Sequence, residues 1–282
     1  LVEEAEDKEP FLVKKKWYSW RREFKPIIEW PHVQSNSEGK ITEIMWRDIR
    51  ICSRLHFESI PPTVTWFYVQ RCQICGTVDL SVFQEALTHL DLMGNKLTGE
   101  VDLTTLHDEF RLLALNGNLF EGSLCLTDLP PVLTTLILHS NRFSGTISLL
   151  QLPETLEQLN IERNALTGSL DFSKLPNEMC LLILSYNQFY GSIDLSRIPA
   201  SLLKIDLSQN SFSGSPIIGP IPRIFEFILI QDELLKDVVD ENGHPLDEHR
   251  RSKLNPGTQK KARFDPVSFQ ELSTAEFRRS SI

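Results

Sequence analysis

The chain has 282 residues, of which 41% are hydrophobic and 24% are charged. This composition excludes a wholly disordered chain, and the lack of an apolar run of about 18 residues excludes a transmembrane helix in this segment. The net charge of -9 argues against nucleic-acid binding as the main function, because phosphate contacts need clustered Lys and Arg.

Residues 1–40 are predicted to form an N-terminal flank and cap. The flank begins acidic and becomes basic and aromatic between Lys14 and Arg22. We expect a short helix whose Trp and Phe side chains cover the open end of the first structural unit, because an uncovered core would expose apolar surface. Contact with RNA or with a membrane through the same residues is the alternative.

Residues 41–232 are predicted to form a solenoid, since three residue types recur with one period of 23 residues. The unit reads L-x-x-L-x-L-x-x-N-x-L/F-x-G, and the stretch from Leu156 to Phe172 is a clean copy. Glycines from Gly76 to Gly214 and prolines from Pro130 to Pro222 keep the same step. Six asparagines do so as well: Asn95, Asn118, Asn141, Asn164, Asn187 and Asn210.

Each position of this unit has a predicted structural role. The L-x-L segment predicts a short strand with inward leucines, and stacked units pair these strands into a parallel sheet. Asn is expected to form hydrogen bonds with backbone groups of the turn, which would otherwise be buried and unpaired. Gly is expected to occupy a position with a positive φ. The return segment is short and rich in Pro, so we expect it to be extended or 3-10. Nine strands are predicted, near residues 44–46, 67–69, 90–92, 113–115, 136–138, 159–161, 182–184, 205–207 and 228–230.

The unit resembles the leucine-rich repeat, and its L-x-G-x-I pattern is similar to that of plant-like members. The run from Gly191 to Asn210 resembles the protist, kinetoplastid-like branch, whose repeats read G-S-I-D-L-x-x-L-P-x-x-L-x-x-L-x-L-x-x-N. The run from Glu29 to Ile44 is similar to the start of those proteins, although His32 replaces the usual Gly and the cysteine pair of secreted plant members is missing. The resemblance implies an α/β leucine-rich repeat solenoid, a horseshoe of about nine coils that serves as a binding scaffold.

Residues 233–282 are predicted to be the remnant of a C-terminal cap and a flexible basic tail, with the tail starting at residue 240. Eight basic and three acidic residues follow position 249, and apolar residues are scattered. A solvated tail is favoured over one that binds an acidic partner.

The outward side chains of parallel strands form columns on the concave face, which is where we expect a ligand. Aromatic, Met and Arg side chains gather at the N-terminal end, and these types are enriched in interface hot spots. Phe227 and Leu229 are either exposed or covered by the C-terminal cap. An exposed apolar floor is predicted at Ala114, Ile137, Leu181 and Ile183. The predicted ligand-binding residues are Met45, Trp66, Tyr68, Arg71, His89, Asp91, Met93, Ile137, His139, Asn160, Glu162, Arg163, Ile183 and Tyr186.

The cysteines predict neither a disulfide framework nor a metal site. Their number is odd and their spacing irregular, and Cys72-x-x-Cys75 has no second pair that would complete a zinc site. The sequence also has no Asn-x-Ser/Thr glycosylation site. An intracellular, cytoplasmic location is therefore favoured, although the chain starts at Leu1 and its N-terminus is expected to be incomplete.

No phosphate-binding loop, nucleophile elbow or metalloprotease motif is present in the sequence, so we predict a protein that is not an enzyme and has no cofactor. The primary hypothesis is a protein-protein interaction module that binds a peptide or protein on its concave face. One alternative is a cell-surface or secreted recognition ectodomain. The other is a structural subunit of a large ribonucleoprotein assembly, in which the basic flanks would make the contacts with nucleic acid.

Overall fold

The computed structural model describes residues 26–221 and 225–255. Within them, nine short parallel strands pair in register with partners 23 positions apart, so that Leu181 lies between Gln158 and Lys204. A short antiparallel strand precedes them in the same sheet. The strands of this concave sheet are β1 (Val33–Ser35), β2 (Ile41–Arg47), β3 (Trp66–Gln70), β5 (His89–Asp91), β7 (Leu112–Ala114), β9 (Thr135–Ile137), β11 (Gln158–Asn160), β13 (Leu181–Ile183), β16 (Lys204–Asp206) and β19 (Phe227–Leu229).

The return segments are extended, as the sequence predicted, and most of them form a second parallel sheet. Its seven strands are β4 (Cys75–Gly76), β6 (Lys96–Gly99), β8 (Leu119–Ser123), β10 (Arg142–Thr146), β12 (Ala165–Ser169), β14 (Gln188–Gly191) and β17 (Ser211–Phe212). A two-stranded sheet pairs β15 (Asp194–Leu195) with β18 (Ile217–Ile218). The 3-10 helices are Ile27–Glu29, Phe57–Ser59, Leu80–Val82, Leu103–Thr105 and Asp232–Lys236, and the described residues contain one α-helix, α1 (Glu248–Ser252).

The hydrophobic core lies between the two main sheets. The inward leucines of the concave strands, such as Leu159 and Leu182, are fully buried. The second sheet contributes phenylalanines, and the rings of Phe120 and Phe143 stack with their centroids 6.3 Å apart. The repeat therefore buries one continuous core along the solenoid, which confirms the predicted fold class.

The repeated asparagines tie each coil to the one before it. Asn118 is 5% exposed, and its Nδ2 donates hydrogen bonds to the carbonyls of Leu92 and Leu115 at 2.9 and 3.0 Å. Its Oδ1 accepts a hydrogen bond from the backbone N–H of Leu97 at 3.1 Å. The other repeat asparagines, from Asn95 to Asn210, make the same kind of bonds. The predicted role in satisfying buried backbone groups is confirmed.

The repeated glycines adopt the positive φ that the sequence predicted. Gly168 has a φ of 104°, and a Cβ added to it would lie 3.0 Å from Cγ2 of Thr146 in the preceding coil. Both the backbone conformation and the close approach of adjacent coils therefore favour glycine at this position.

The N-terminal end of the core is covered by tryptophans. Trp30 is 9% exposed, and its ring lies 5.9 Å from that of Trp46, which is fully buried in β2. The Trp46 Nε1–H donates a hydrogen bond to the carbonyl of Pro31 at 3.1 Å. The segment that carries Trp30 thus acts as a cap, whereas the predicted flank helix before Pro26 lies outside the described residues.

The C-terminal end is covered by residues that the sequence analysis assigned to the tail. Leu246 is buried, and the backbone N–H of Ile228 in β19 donates a hydrogen bond to the carbonyl of Lys253 at 2.9 Å. The N–H of Asn255 donates in turn to the carbonyl of Ile228 at 2.9 Å. Residues 240–255 therefore pack as a cap on the edge of the sheet, which would otherwise offer unpaired backbone groups. The predicted tail beyond Asn255 lies outside the described residues.

Candidate functional site

The concave face brings the predicted binding residues into two groups. Because the strands pair in register, equivalent positions of successive coils stand side by side. The N-terminal group lies on and just after β2, β3 and β5 and contains Met45, Trp66, Tyr68, Arg71, His89, Asp91 and Met93. The C-terminal group lies on and just after β9, β11 and β13 and contains Ile137, His139, Asn160, Glu162, Arg163, Ile183 and Tyr186.

The predicted apolar floor of the concave face is not exposed, so this part of the prediction is wrong. Ile137 is 9% exposed and Ile183 is 3% exposed, and Ala114 and Leu181 are also buried. Parallel strands about 4.8 Å apart hold equivalent side chains against one another, so a run of apolar residues covers itself. Leu112, Ala114 and Ile137 accordingly form a small apolar cluster of their own on this face.

Three side chains of the N-terminal group, Trp66, Tyr68 and His89, form an aromatic cluster. The rings of Trp66 and His89 are stacked with centroids 3.9 Å apart and an interplanar angle of 10°. The ring of Tyr68 lies 5.6 Å from that of Trp66. Burial is the main cause that lowers the pKa of His89 to about 4, so this imidazole is neutral near pH 7. At the rim, Arg71 donates two hydrogen bonds to the carboxylate of Asp48, at 2.7 and 2.9 Å.

A buried carboxylate lies beside these rings. Asp91 is 4% exposed and accepts hydrogen bonds from Nε2 of Gln70 at 2.6 Å and from the backbone N–H of Met93 at 2.9 Å. Burial raises the pKa of Asp91 to about 6, while the two hydrogen bonds and the charge of Arg47 act in the opposite direction. The ionised form of this aspartate is therefore poorly solvated at neutral pH.

We expect Asp91→Asn to stabilise the protein at pH 7.5 by about 2 kcal/mol. Because the folded-state pKa lies above the usual Asp value of 3.8, ionisation costs stability, and this cost grows as the pH rises from about 4 to about 6 and then levels off. Denaturant unfolding at several pH values should show the gain at pH 7.5 and a much smaller one near pH 4. Asp79→Asn is the matched control, since hydrogen bonds from Ser81 lower the pKa of that exposed aspartate and its replacement should not stabilise. A gain that does not change with pH would contradict the expectation.

The C-terminal group lines a pocket of about 540 Å³ on the concave face. Six predicted binding residues line it: His139, Asn160, Glu162, Arg163, Ile183 and Tyr186. The predicted list of binding residues omits the other lining residues. Ser140 follows His139 after β9, and the rest lie on and after β16 and β19: Lys204, Asp206, Ser208, Gln209, Phe227, Leu229, Ile230, Gln231, Asp232 and Glu233. Ile137 is not among the lining residues.

Two cations in this pocket lie over aromatic rings. The guanidinium of Arg163 is 4.6 Å from the ring centroid of Tyr186, and its Nε donates a hydrogen bond to Glu162 at 3.1 Å. The ammonium of Lys204 is 5.0 Å from the ring centroid of Phe227. Phe227 is 4% exposed, whereas Tyr186 is 46% exposed. An aromatic face with a nearby cation is thus open to a ligand at Tyr186.

Burial also changes the titration of the pocket. It lowers the pKa of Lys204 to about 8, against the opposing charge of Asp206. It raises the pKa of Asp206, although hydrogen bonds from the hydroxyl and the backbone N–H of Ser208 partly offset this effect. The pKa of His139 is lowered to about 4 by burial and by Arg163. Near pH 7 the pocket therefore contains a lysine that is mostly protonated and a neutral imidazole, close to the half-buried carboxyl group of Asp206.

Two further observations concern metal ions and membranes. No group of three or more His, Cys, Asp or Glu side chains within residues 26–221 and 225–255 is placed to hold a metal ion. Cys72 is fully buried, and its Sγ–H is directed at the carbonyl of Gln70, 3.2 Å away. Among the same residues, no helix has the length and apolar character needed to cross a membrane.

No family model matches the sequence, and no curated protein does so either. The fold is similar to the ectodomain of the Arabidopsis receptor kinase HAESA in complex with an IDA peptide hormone (22% identity, TM-score 0.46, 67% of this chain and 35% of that chain). It is also similar to the plant peptide hormone receptor RGFR1 in complex with RGF2 (21% identity, TM-score 0.42, 62% of this chain and 37% of that chain). A third similar structure is that of a plant ice-binding protein (18% identity, TM-score 0.45, 70% of this chain and 81% of that chain).

This chain spans little more than a third of the length of the two receptors that it matches. Its own structure defines the class of protein. Each coil repeats a strand with inward leucines, a buried asparagine that bonds to the preceding coil, and an extended return segment. The chain is therefore a leucine-rich repeat solenoid.

Proposed function

We propose that this chain is a protein-interaction module, not an enzyme, and that it binds a peptide or a segment of a protein in the concave pocket. The observation that carries the proposal is the pocket of about 540 Å³ between the Arg163–Tyr186 pair and the Lys204–Phe227 pair. Aromatic and Arg side chains are the types that most often dominate binding energy in protein interfaces. The aromatic cluster of Trp66, Tyr68 and His89 offers a second contact region to a longer ligand.

The chemistry of the pocket favours binding over catalysis. Glu162 is engaged by Arg163, and Asp206 by Ser208. His139 lies 3.1 Å from the hydroxyl of its neighbour Ser140, but its pKa of about 4 would make it a weak general base at neutral pH. Lys204 has a pKa of about 8, but it is only 4% exposed and its ammonium lies over the ring of Phe227, so it is poorly placed to exchange a proton with a ligand. The polar groups of the pocket therefore mainly stabilise one another and shape a binding surface.

Capture of partners from the native lysate, with the full-length chain as bait, tests this proposal. We expect Arg163→Ala/Tyr186→Ala to weaken partner binding by about 2 kcal/mol, roughly thirtyfold in the dissociation constant, if these side chains are interface anchors. Tyr190→Ala is the matched control, because Tyr190 is 53% exposed and lies on β14, a strand of the other sheet. Equal capture by the wild type and by Arg163→Ala/Tyr186→Ala would refute the assignment of the pocket.

We also propose an intracellular location and a protist, kinetoplastid-like origin of the repeats. All five cysteines are free thiols, which is the usual state in a reducing compartment. Burial raises the pKa of Cys72 to about 11, so this thiol is unreactive at neutral pH. The origin rests on the repeat pattern from Gly191 to Asn210. Subcellular fractionation of the native cells tests the location, and recovery of the protein with the secreted fraction would refute it.

A further inference from the structure

The described chain ends beside the concave pocket. Nδ2 of Asn255 donates a hydrogen bond to Oδ1 of Asp232 at 2.6 Å, and Asp232 lines the pocket. Asn255 is held there by two more hydrogen bonds, one from the N–H of Ile230 and one to its carbonyl, both 2.9 Å long. The sequence that follows Asn255 therefore starts at the rim of the proposed binding site.

The pocket carries an excess of negative charge. Four carboxylates line it, from Glu162, Asp206, Asp232 and Glu233, against the two cations Arg163 and Lys204. Arg163 is paired with Glu162, and Lys204 is held near Asp206. Within residues 26–221 and 225–255, no ion pair involves Asp232 or Glu233. The excess negative charge of the pocket therefore lies at these two exposed residues, at the end nearest to Asn255.

The sequence after Asn255 has the complementary charge within reach. Lys260, Lys261 and Arg263 follow at distances of five to eight residues, and the stretch from Pro256 to Phe264 contains no acidic residue. At about 3.4 Å per residue, five to eight residues span roughly 17 to 27 Å. The pocket extends over the strands from β9 to β19, about 19 Å at the usual strand spacing.

We propose that the basic segment from Lys260 to Arg263 is the resting occupant of the concave pocket, and that an external ligand has to displace it. The proposal rests on the proposed function of the same pocket. A linker of about five residues gives an effective concentration on the order of 1 mM. If the segment binds as a free peptide with a dissociation constant near 100 µM, the occupied pocket would then be about ten times more populated than the empty one.

The test uses full-length chains and a fluorescein-labelled peptide with the sequence of residues 256–264. In one chain the basic segment is neutralised by K260Q/K261Q/R263Q, and in the control chain R278Q/R279Q removes charge farther along the sequence. Fluorescence anisotropy should show that the peptide binds the K260Q/K261Q/R263Q chain about tenfold more tightly than the wild-type and control chains. Adding D232N/E233Q to the K260Q/K261Q/R263Q chain should weaken binding at least fivefold through the loss of charge alone, because the amide oxygen introduced by D232N can still accept the hydrogen bond from Asn255.

Three outcomes would overturn the proposal. The first is the same peptide affinity for the wild-type and K260Q/K261Q/R263Q chains, and the second is no binding to either. The third is an affinity that D232N/E233Q does not change, which would place the peptide elsewhere. If external partners are still lost with Arg163→Ala/Tyr186→Ala in any of these cases, the proposed function stands and only the resting occupant is wrong.

Discussion

Replacing Asn118 by alanine is expected to lower the free energy of unfolding by about 2 to 4 kcal/mol. The side chain is 5% exposed and satisfies the carbonyls of Leu92 and Leu115 and the N–H of Leu97. Alanine leaves the N–H of Leu97 without this acceptor, and an orphaned buried group costs about 1 to 3 kcal/mol. The two carbonyls each lose one hydrogen bond but keep another, because Nδ2 of Asn95 also donates to Leu92 at 2.8 Å and Nδ2 of Asn141 to Leu115 at 3.0 Å. Denaturant unfolding followed by circular dichroism measures the loss.

Asn116→Ala is the matched control for this prediction. Asn116 lies two positions earlier and is 4% exposed, but its Oδ1 has no hydrogen-bond partner within the described residues. Its replacement removes a buried polar atom that accepts no hydrogen bond, so we expect the free energy of unfolding to change by less than about 1 kcal/mol. Equal losses in the two variants would mean that the cost comes from the volume of the side chain, and that the bonds between coils contribute little.

The contrast between these two asparagines shows what the sequence can predict. The period of the repeat was enough to place eight of the nine parallel strands to within one residue, although β2 begins three residues earlier than predicted. It was also enough to assign Asn118 to backbone bonding, because such roles recur in every coil and depend on local geometry. Asn116 occupies an outward column position, and nothing in its spacing distinguishes a satisfied side chain from an unsatisfied one. Local roles could therefore be predicted, whereas hydrogen bonding on the concave face needed the structure.

The candidate site was predictable only in part, for a related reason. Spacing placed Arg163 and Tyr186 correctly on the concave face, but it overestimated the exposure of Ile137 and Ile183, since it does not report how closely adjacent coils pack. The far wall of the pocket depends on the last coil, where the repeat degenerates and Glu233 stands in the position of the asparagine. The contact between Asp232 and Asn255 joins residues 23 positions apart outside the recognisable repeat, so no pattern predicted it.

The second large effect is expected at the N-terminal end of the solenoid, where Trp46→Ala should destabilise the protein by about 4 kcal/mol or more. Trp46 is fully buried between Trp30 and Phe67, with ring centroids 5.9 and 6.4 Å away, and its Nε1–H binds the carbonyl of Pro31. Alanine would open a cavity at the point where the cap meets the first coil. Trp46→Phe is the conservative control, because it keeps an aromatic ring there and should cost about 1 to 2 kcal/mol from the lost hydrogen bond and the smaller volume.

Which coils lose stability in Trp46→Ala is as informative as the total loss, because coils of a solenoid are stabilised mainly by their neighbours. Trp46→Ala should therefore release the cap and the first strands before the rest of the molecule. Hydrogen exchange of the backbone amides should become faster in β1, β2 and β3, while β11 and β13 keep most of their protection. Faster exchange in all strands alike would instead show that the solenoid opens as a single cooperative unit, with the tryptophan cap stabilising every coil at once.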